Sequence, residues 1–249
     1  LDYTIKIGGS AGQGLQTIGN ALTKVFARSG YHVFSHQDYE SRIRGGHNFF
    51  QIRFSDKPAM SSRERMHMVI ALDKETVLRH ATELAEGGQV VYDSETLKET
   101  YTGPQFFDIP FARLATEHGG SKLMENTAAT GAVLGMIGME TDVLFAVIRD
   151  YFTTKGDKVI RANINAAAAG HEFAKNNCAR CHFTAALPTN PKMLIGGVEA
   201  LALGAIDSGL KFYAAYPMTP ANGIMNYISV HAAEFGIIVE QAEDEIAAI

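Results

Sequence analysis

Cysteine is scarce in this chain, with two among 249 residues. Two cannot build a disulfide framework, which makes the reducing cytoplasm the default compartment. Nor do they supply the four-cysteine run that an iron–sulfur cluster needs. Both lie in NNCARCHF, Asn176 to Phe183, and spell the Cys-x-x-Cys-His of a c-type haem attachment. No charged and apolar export leader precedes the opening LDYTIKIGG, which already reads as a strand. A metal would need two or more ligands beyond the pair; His171 and His182 are near in sequence, but there is no second cysteine pair. A thioredoxin-like dithiol belongs at a helix N-terminus, whereas this pair follows a long helical pattern. Cys178 and Cys181 are therefore read as two ordinary thiols.

Positive charge is also in deficit: 22 Lys and Arg against 27 Asp and Glu leave a net charge of -5. That balance excludes a general grip on nucleic acid, which needs a basic surface. No apolar run reaches membrane-spanning length; TAATGAVLGMIGM is too short and too rich in Gly and Ala. The chain has no initiator Met, so the expectation is that something was trimmed upstream.

What is present alternates in period. YTIKI, YHVFS, FFQIRF, HMVIALD and QVVYD are short β-rich runs bounded by Gly, Asp, Ser or Pro. Helical patterns lie between or after them: LQTIGNALTKVFARSG, KETVLRHATELAEGG, TAATGAVLGMIGM, ETDVLFAVIRDYF and DKVIRANINAAAAGHEFAKNN. Strands alternating with helices predict an α/β layer fold with a largely parallel sheet. At HFTAALPTNPKM two prolines among polar neighbours read as a linker. Beyond it the pattern gives a helix, the strand FYAAYP, a proline-bounded loop, a helix, the strand GIIVEQ and the start of a further helix. Some 60 residues with about two strands do not bury a core alone, so this last part is expected to be incomplete.

The stretch IKIGGSAGQGLQTIGNAL puts glycines 8, 9, 12 and 14 between a strand and a helix. Glycine there permits positive φ and lets backbone N–H groups approach an anion that the helix N-terminus also attracts. The Gly9 to Gly14 spacing is neither the dinucleotide G-x-G-x-x-G nor a P-loop. A tight turn of any α/β protein, or a dinucleotide site using Gly8 to Gly14 with Asp38 or Glu40 as its acid, are both open readings. The loop DYESRIRGGHNFF adds Arg42, Arg44 and the pair Gly45 and Gly46, suited to clamping a phosphate or carboxylate, or else a solvated turn. The two loops are expected at corresponding ends of neighbouring strands, where α/β sheets bind ligands.

AAYPMTPANGI (Ala214 to Ile224) and VEQAEDEIAAI (Val239 to Ile249) resemble the α subunit of 2-oxoacid:ferredoxin oxidoreductases, which carries a Tyr-Pro-x-Thr-Pro motif. IGGSAGQGLQTIGNAL, RGGHN and NTAATGAVLG are similar to the γ domain of the same family. The order γ, linker, α resembles the fused γ–α subunit of 2-oxoglutarate and broad 2-oxoacid enzymes. The resemblance implies a γ-type, three-layer Rossmann-like domain over residues 1–182 and a linker over 183–191. The start of a thiamine-diphosphate pyrimidine-binding α/β domain would follow over 192–249. It also implies thiamine diphosphate as cofactor, coenzyme A as co-substrate and 2-oxoglutarate as the favoured 2-oxoacid. Electrons would pass to ferredoxin through [4Fe-4S] clusters. Those clusters and the Mg2+ would sit in a β subunit, assembled as a dimer of heterodimers.

A carboxylate hydrogen-bonded to the pyrimidine ring must be buried and fixed opposite it, and a strand-to-helix junction is a suitable place. There the resemblance favours Glu245, with Glu243 second; the alternative is a solvated acidic helix start. In YPMTP, Pro217 and Pro220 restrict φ on both sides of Thr219, whose hydroxyl suits substrate positioning, and Tyr216 offers a phenol. By the resemblance, Tyr216 and Pro217 join Glu245 and Thr219 at the cofactor. Gly12, Gly14 and Arg44 would meet the phosphates of coenzyme A or serve as a docking surface. The cysteine pair then marks the γ–α hinge.

Overall fold

A computed structural model describes residues 1–40, 46–178, 181, 190–219 and 221–249. The chain divides into two compact units, Leu1–Met193 and Leu194–Ile249. The first contains β1 (Asp2–Gly9), α1 (Leu15–Arg28), β2 (His32–Asp38), β3 (Asn48–Ser55), β4 (Met66–Ala71) and α2 (Lys74–His80). It continues with β5 (Leu84–Tyr92), α3 (Ser94–Leu97), β6 (Phe106–Asp108), α4 (Phe111–Gly119), α5 (Glu125–Met136), α6 (Asp142–Phe152) and α7 (Asp157–Asn177).

The six strands form one sheet in the order β2-β3-β1-β4-β5-β6. Because side chains alternate across a strand, each strand serves both layers of the fold. Ile5, Ile7, Ile52, Phe54, Met68 and Ile70 join the core that also buries Ile18, Leu22, Val25 and Phe26 of α1. That same core takes in the buried run of α5, Ala128 to Met136. Val69, Ala71, Val90 and Tyr92 pack with Val77 of α2 and Leu97 of α3 in a separate cluster. The result is three layers, helix, sheet and helix, with the larger core on the α1 and α5 side.

The sheet is largely parallel, five of its six strands running the same way. β1–β4, β4–β5 and β5–β6 are parallel, but β3 runs antiparallel between β2 and β1. Nine residues separate β2 from β3, fewer than the crossover of a dozen or more that a parallel pair needs. The segment KETVLRHATELAEGG, expected to be helical throughout, is helical only to His80. A 3-10 turn covers Ala81–Glu83, and Leu84 already opens β5, with a register shift opposite Met66 to Met68. Gly87, at φ 73°, sits inside that strand. β6, α3 and α4 were not expected from the sequence patterns.

The second unit has α8 (Gly197–Asp207), β7 (Phe212–Ala215), α9 (Asn222–Phe235) and β8 (Ile238–Gln241). β7 and β8 are parallel, and the buried residues between them and the helices are Ala202, Ile228 and Ile237. No further helix follows β8: residues 243–248 form turns. Asp244 accepts from the Ala247 N–H at 2.7 Å, as an N-cap side chain does. Ile249 N donates to Ile246 O at 3.2 Å. Among the described residues, no helix is long and apolar enough to cross a membrane.

Candidate functional site

The glycine turn closes β1 and opens α1. Gln13 organises it: its Oε1 accepts from Ser10 N at 2.6 Å, and its Nε2 donates to Leu72 O at 3.0 Å. Ser10 Oγ donates to Asp73 Oδ2 at 3.0 Å, tying the turn to the start of α2. Gly12 and Gly14 stand at φ 91° and 87°, in the left-handed region that favours glycine. Gly14 is the N-cap of α1 and brings no side chain to accept from its first-turn N–H groups. Ala11, Gly12, Gly14, Gln16 and Thr17 line an open pocket of about 340 Å3 together with Gln37, Tyr39, Glu40 and Asn48.

Asn48 pairs with Gly9 across β1 and β3, so the loop after β2 does meet the glycine turn at one sheet end. Glu40 N donates to Asn48 Oδ1 at 3.0 Å. Of the two candidate acids, Glu40 lines the pocket, while Asp38 pairs with Phe49 in the ladder. Arg42, Arg44 and Gly45 lie outside the described residues. Sequence reasoning missed Asn126 of α5 as a partner of Gly14. A Cβ at Gly14 would collide with Asn126 Nδ2. Gly14→Ala is expected to destabilise the chain by about 1–3 kcal/mol through its positive φ alone, with the collision adding to that. In urea unfolding, Asn126→Ala in the same molecule should recover only the collision. A Gly14→Ala protein as stable as wild type would mean that the turn has another geometry.

Behind the turn, on the sheet face covered by α2, lies a buried polar chain that the sequence patterns did not reveal. Lys6, His47 and His80 are 5%, 7% and 5% exposed. Lys6 Nζ donates to Glu83 Oε2 at 2.6 Å, and His80 Nδ1 is 2.7 Å from the same oxygen. His80 Nε2 is 2.7 Å from His47 Nε2. Burial raises the Glu83 carboxyl, but the hydrogen bonds from Lys6 and His80 outweigh it and hold the group below its usual value. Burial is the leading cause that lowers His36, His47, His67 and His80.

The sign of the linkage follows. Above the unfolded value of about 6.5 these histidines are neutral in both states. As pH falls below it, the unfolded chain takes up protons that the folded chain refuses, and stability drops until the lowered folded values are reached. His47 and His80 each contribute a slope of up to about 1.4 kcal/mol per pH unit in that window. Urea midpoints should therefore fall from pH 7.5 to pH 5.5, and fall less steeply in His80→Phe. Equal slopes in the two proteins would dismiss His80 as a source.

In the second unit, the two acidic and proline motifs come together. Ala215 at the end of β7 pairs with Gln241 at the end of β8, and Ala242 N donates to Ala215 O at 3.0 Å. Tyr216, Pro217 and Thr219 thus leave one strand end, and Glu243 and Glu245 the neighbouring one, at the carboxyl ends where open α/β sheets bind ligands. Thr219, Glu243 and Glu245 are exposed, which corrects the expectation of a buried carboxylate; Pro220 lies outside the described residues. The hydrogen bond from Ala247 N to Asp244 puts Glu245 in the first position of the turn it caps. Asn222, which follows the motif and opens α9, has a buried Oδ1 with no hydrogen-bond partner among the described residues. A neutral acceptor left in this state costs about 1–3 kcal/mol, and a ligand that donates there would recover it. Sequence reasoning missed Asn222; its only signal was its place behind a rigid loop.

The cysteines are corrected outright. Cys178 and Cys181 form a disulfide with each other, their Cα atoms 5.5 Å apart. α7 ends at Asn177, Cys178 is extended at φ -83° and ψ 99°, and the Cα separation of the pair lies within the usual range for a disulfide. Both sulfurs lie beside Gln89 Oε1, at 3.6 and 3.7 Å. His171 Nε2, facing a carbonyl that can only accept, carries its hydrogen and donates to Met139 O at 2.8 Å. His182 and most of the expected linker lie outside the described residues. Among the described residues, no group of three His, Cys, Asp or Glu is arranged to hold a metal.

Comparison with known proteins bears on both units. The 2-oxoacid:ferredoxin oxidoreductase subunit alpha of Saccharolobus solfataricus is 28% identical over 302 aligned residues, covering 98% of this chain and 46% of that protein. The chain thus spans about half the length of the curated relatives it matches. The solved 2-oxoglutarate:ferredoxin oxidoreductase from Magnetococcus marinus, with 2-oxoglutarate, coenzyme A and succinyl-CoA bound, superimposes with a TM-score of 0.90. It is 29% identical, over 99% of this chain and 44% of that one. The keto/oxoacid ferredoxin oxidoreductase gamma subunit of Geobacter sulfurreducens shares the fold of 70% of this chain, covering 97% of its own, at a TM-score of 0.60 and 22% identity. Residues 203–249 match the thiamine diphosphate-binding model of the pyruvate flavodoxin/ferredoxin oxidoreductases. Residues 4–173, more than half of the chain, match the model of pyruvate ferredoxin/flavodoxin oxidoreductase, and the chain therefore belongs to that family.

Proposed function

We propose that this chain is the γ–α part of a thiamine-diphosphate-dependent 2-oxoacid:ferredoxin oxidoreductase acting on 2-oxoglutarate. The observation that carries the reading is the pairing of Ala215 with Gln241, which sets the YPMT loop and the Glu243 to Glu245 turn side by side at two parallel strand ends. In this reading residues 1–182 serve as γ domain, 183–191 as linker and 192–249 as the start of the pyrimidine-binding domain. A β subunit brings Mg2+ and [4Fe-4S], the assembly is a cytoplasmic dimer of heterodimers, and ferredoxin takes the electrons.

The residues at these strand ends fit an aminopyrimidine. Such a ring needs an acceptor for its amine, a carboxylate at its ring nitrogen and small donors near the reacting end. Asn222 Oδ1 is an acceptor without a partner among the described residues, Glu245 is the carboxylate, and Thr219 and Tyr216 carry hydroxyls. Thiamine diphosphate, when bound, supplies the nucleophilic carbon that permits decarboxylation of a 2-oxoacid. The chain's own part is to hold: Glu245 keeps one proton at the ring nitrogen, and Pro217 stiffens the loop that presents Thr219. The Thr219 hydroxyl donates to the oxo or carboxylate oxygen of the substrate.

Coenzyme A is assigned to the glycine-turn pocket, with Gly12 and Gly14 beneath a phosphate at the start of α1 and Arg44 as its cation. The 2-oxoglutarate assignment is supported by the Magnetococcus relative, whose structure holds that substrate. Turnover of the assembled enzyme on pyruvate, 2-oxoglutarate and a branched 2-oxoacid, with coenzyme A and a dye acceptor, tests the whole. 2-Oxoglutarate should be turned over fastest. Dye reduction with none of the three would end the reading; preference for another would change the substrate only.

A further inference from the structure

The buried chain Lys6–Glu83–His80–His47 lies outside the residues assigned above. Its Glu83 end reaches solvent, the side chain 38% exposed, but Lys6, His80 and His47 are buried, and polar groups are an expensive way to fill a core. Buried ion pairs are often matched or bettered by apolar side chains of similar volume, and the neighbouring inward residue of α2, Val77, is apolar. The geometry, however, admits a single neutral proton arrangement. Glu83 is a carboxylate and accepts only, so His80 Nδ1, 2.7 Å away, carries a hydrogen. His80 Nε2 is then an acceptor, and His47 Nε2–H donates to it across 2.7 Å. Lys6 Nζ, 3.3 Å from His80 Nδ1, is spent on Glu83 and on the face of Phe49, 4.5 Å from its centroid. His47 Nδ1 is left as a buried lone pair with no partner among the described residues. Two histidines, one carboxylate and one ammonium thus hold a single orientation of the His47 ring.

That ring is attached where the pocket wall begins. His47 immediately precedes Asn48, the first residue of β3 and the partner of Gly9. Successive side chains in a strand point to opposite faces. His47 therefore plugs into the α2 side, while Asn48 lines the pocket and accepts the Glu40 N–H. α2 also reaches Glu40 directly, Arg79 Nη2 lying 4.0 Å from its carboxylate. We propose that His80 is a positioning residue for the glycine-turn pocket: held by Glu83 and Lys6, it fixes His47, and through the start of β3 it fixes Asn48 and Glu40 against Gly12 and Gly14. The claim rests on the assignment of coenzyme A to that pocket. Other groups facing the histidines are His36 of β2, Gln51 of β3, Asp73 beside α2, and Glu75 and Arg79 on it.

The test uses the assembled enzyme. His80→Phe keeps ring volume and removes both hydrogen bonds; His80→Gln keeps an amide able to meet His47. In His80→Phe, KM for coenzyme A should rise about tenfold while kcat and KM for the 2-oxoacid stay within about twofold, the size of effect expected when a positioning group is removed. His80→Gln should recover most of the coenzyme A affinity. The long-range 15N–1H spectrum of the chain should show His80 as its Nδ1–H tautomer. An unchanged KM for coenzyme A in His80→Phe overturns the positioning role, as does an equal fall in all parameters for both variants, which marks mere structural damage. Wild-type turnover without any dependence on coenzyme A overturns the underlying assignment, and the positioning role with it.

Discussion

Replacing Glu245 with glutamine in the assembled enzyme is expected to lower turnover by about 10^2- to 10^4-fold, the contribution of one positioned proton-transfer group. Glutamine has nearly the volume of glutamate and keeps an acceptor oxygen, so assembly with the β subunit should survive. What it loses is the ability to hold a proton at a ring nitrogen. The position is supported by local chemistry: Asp244 accepts from Ala247 N and behaves as a cap, which makes Glu245 the first residue of the turn beyond it. Glu243 lies on the other side of that cap and offers the internal comparison. Dye reduction and size-exclusion chromatography on the two variants decide between them. Near-normal rates for Glu245→Gln combined with loss in Glu243→Gln would transfer the role. Near-normal rates in both would remove a carboxylate from this place altogether.

The largest effect on stability is expected at Gly131, where α5 and α7 cross. A Cβ there would collide with the Ala167 carbonyl oxygen, and one at Gly170 of α7 would collide with the Ala128 carbonyl oxygen. The obstacle is backbone on both sides, so no side-chain rotation relieves it. Gly131→Val should cost about 3 kcal/mol or more, at the upper end of overpacking, a large share of the 5–15 kcal/mol typical of a domain. Gly204 in α8 is the control: a Cβ there meets nothing within 4 Å. Gly204→Ala should be neutral to stabilising, by up to about 1 kcal/mol from helix propensity. Urea midpoints that leave Gly131→Val unchanged would refute the close helix approach.

Much of the first unit was legible from periodicity. The segments read as α1 and α7 have the predicted extents, because their apolar stripes and glycine boundaries are local signals. β6 escaped because three residues carry no period, and α3 because four residues cannot show a stripe. The antiparallel place of β3 was hidden for another reason. Strand direction is a property of the pair, and the only hint was the short connection between YHVFS and FFQIRF. In the candidate site, Gly12 and Gly14 stood out by their place in a strand-to-helix turn, and Tyr216, Pro217, Thr219 and Glu245 by the motifs shared with the family. Lys6, His80 and Glu83 did not, since they are ordinary residue types and Lys6, more than 70 positions from the other two, meets them only where α2 and the turn after it pack on the sheet.

By itself, the sequence determined the layer class, the glycine turn at the end of β1, the acidic turn after β8 and the family motifs, all set by residues within about a dozen positions of one another. Only the tertiary structure decided which of these share a strand end and which acid lines the glycine pocket. It also closed Cys178 on Cys181, and it aligned Glu83, His80 and His47 into one hydrogen-bonded line. The physical reason is the same in each case. Local steric preference and hydrophobic period act along the chain, whereas hydrogen-bond partners and burial are assigned by contacts between segments that the chain leaves far apart.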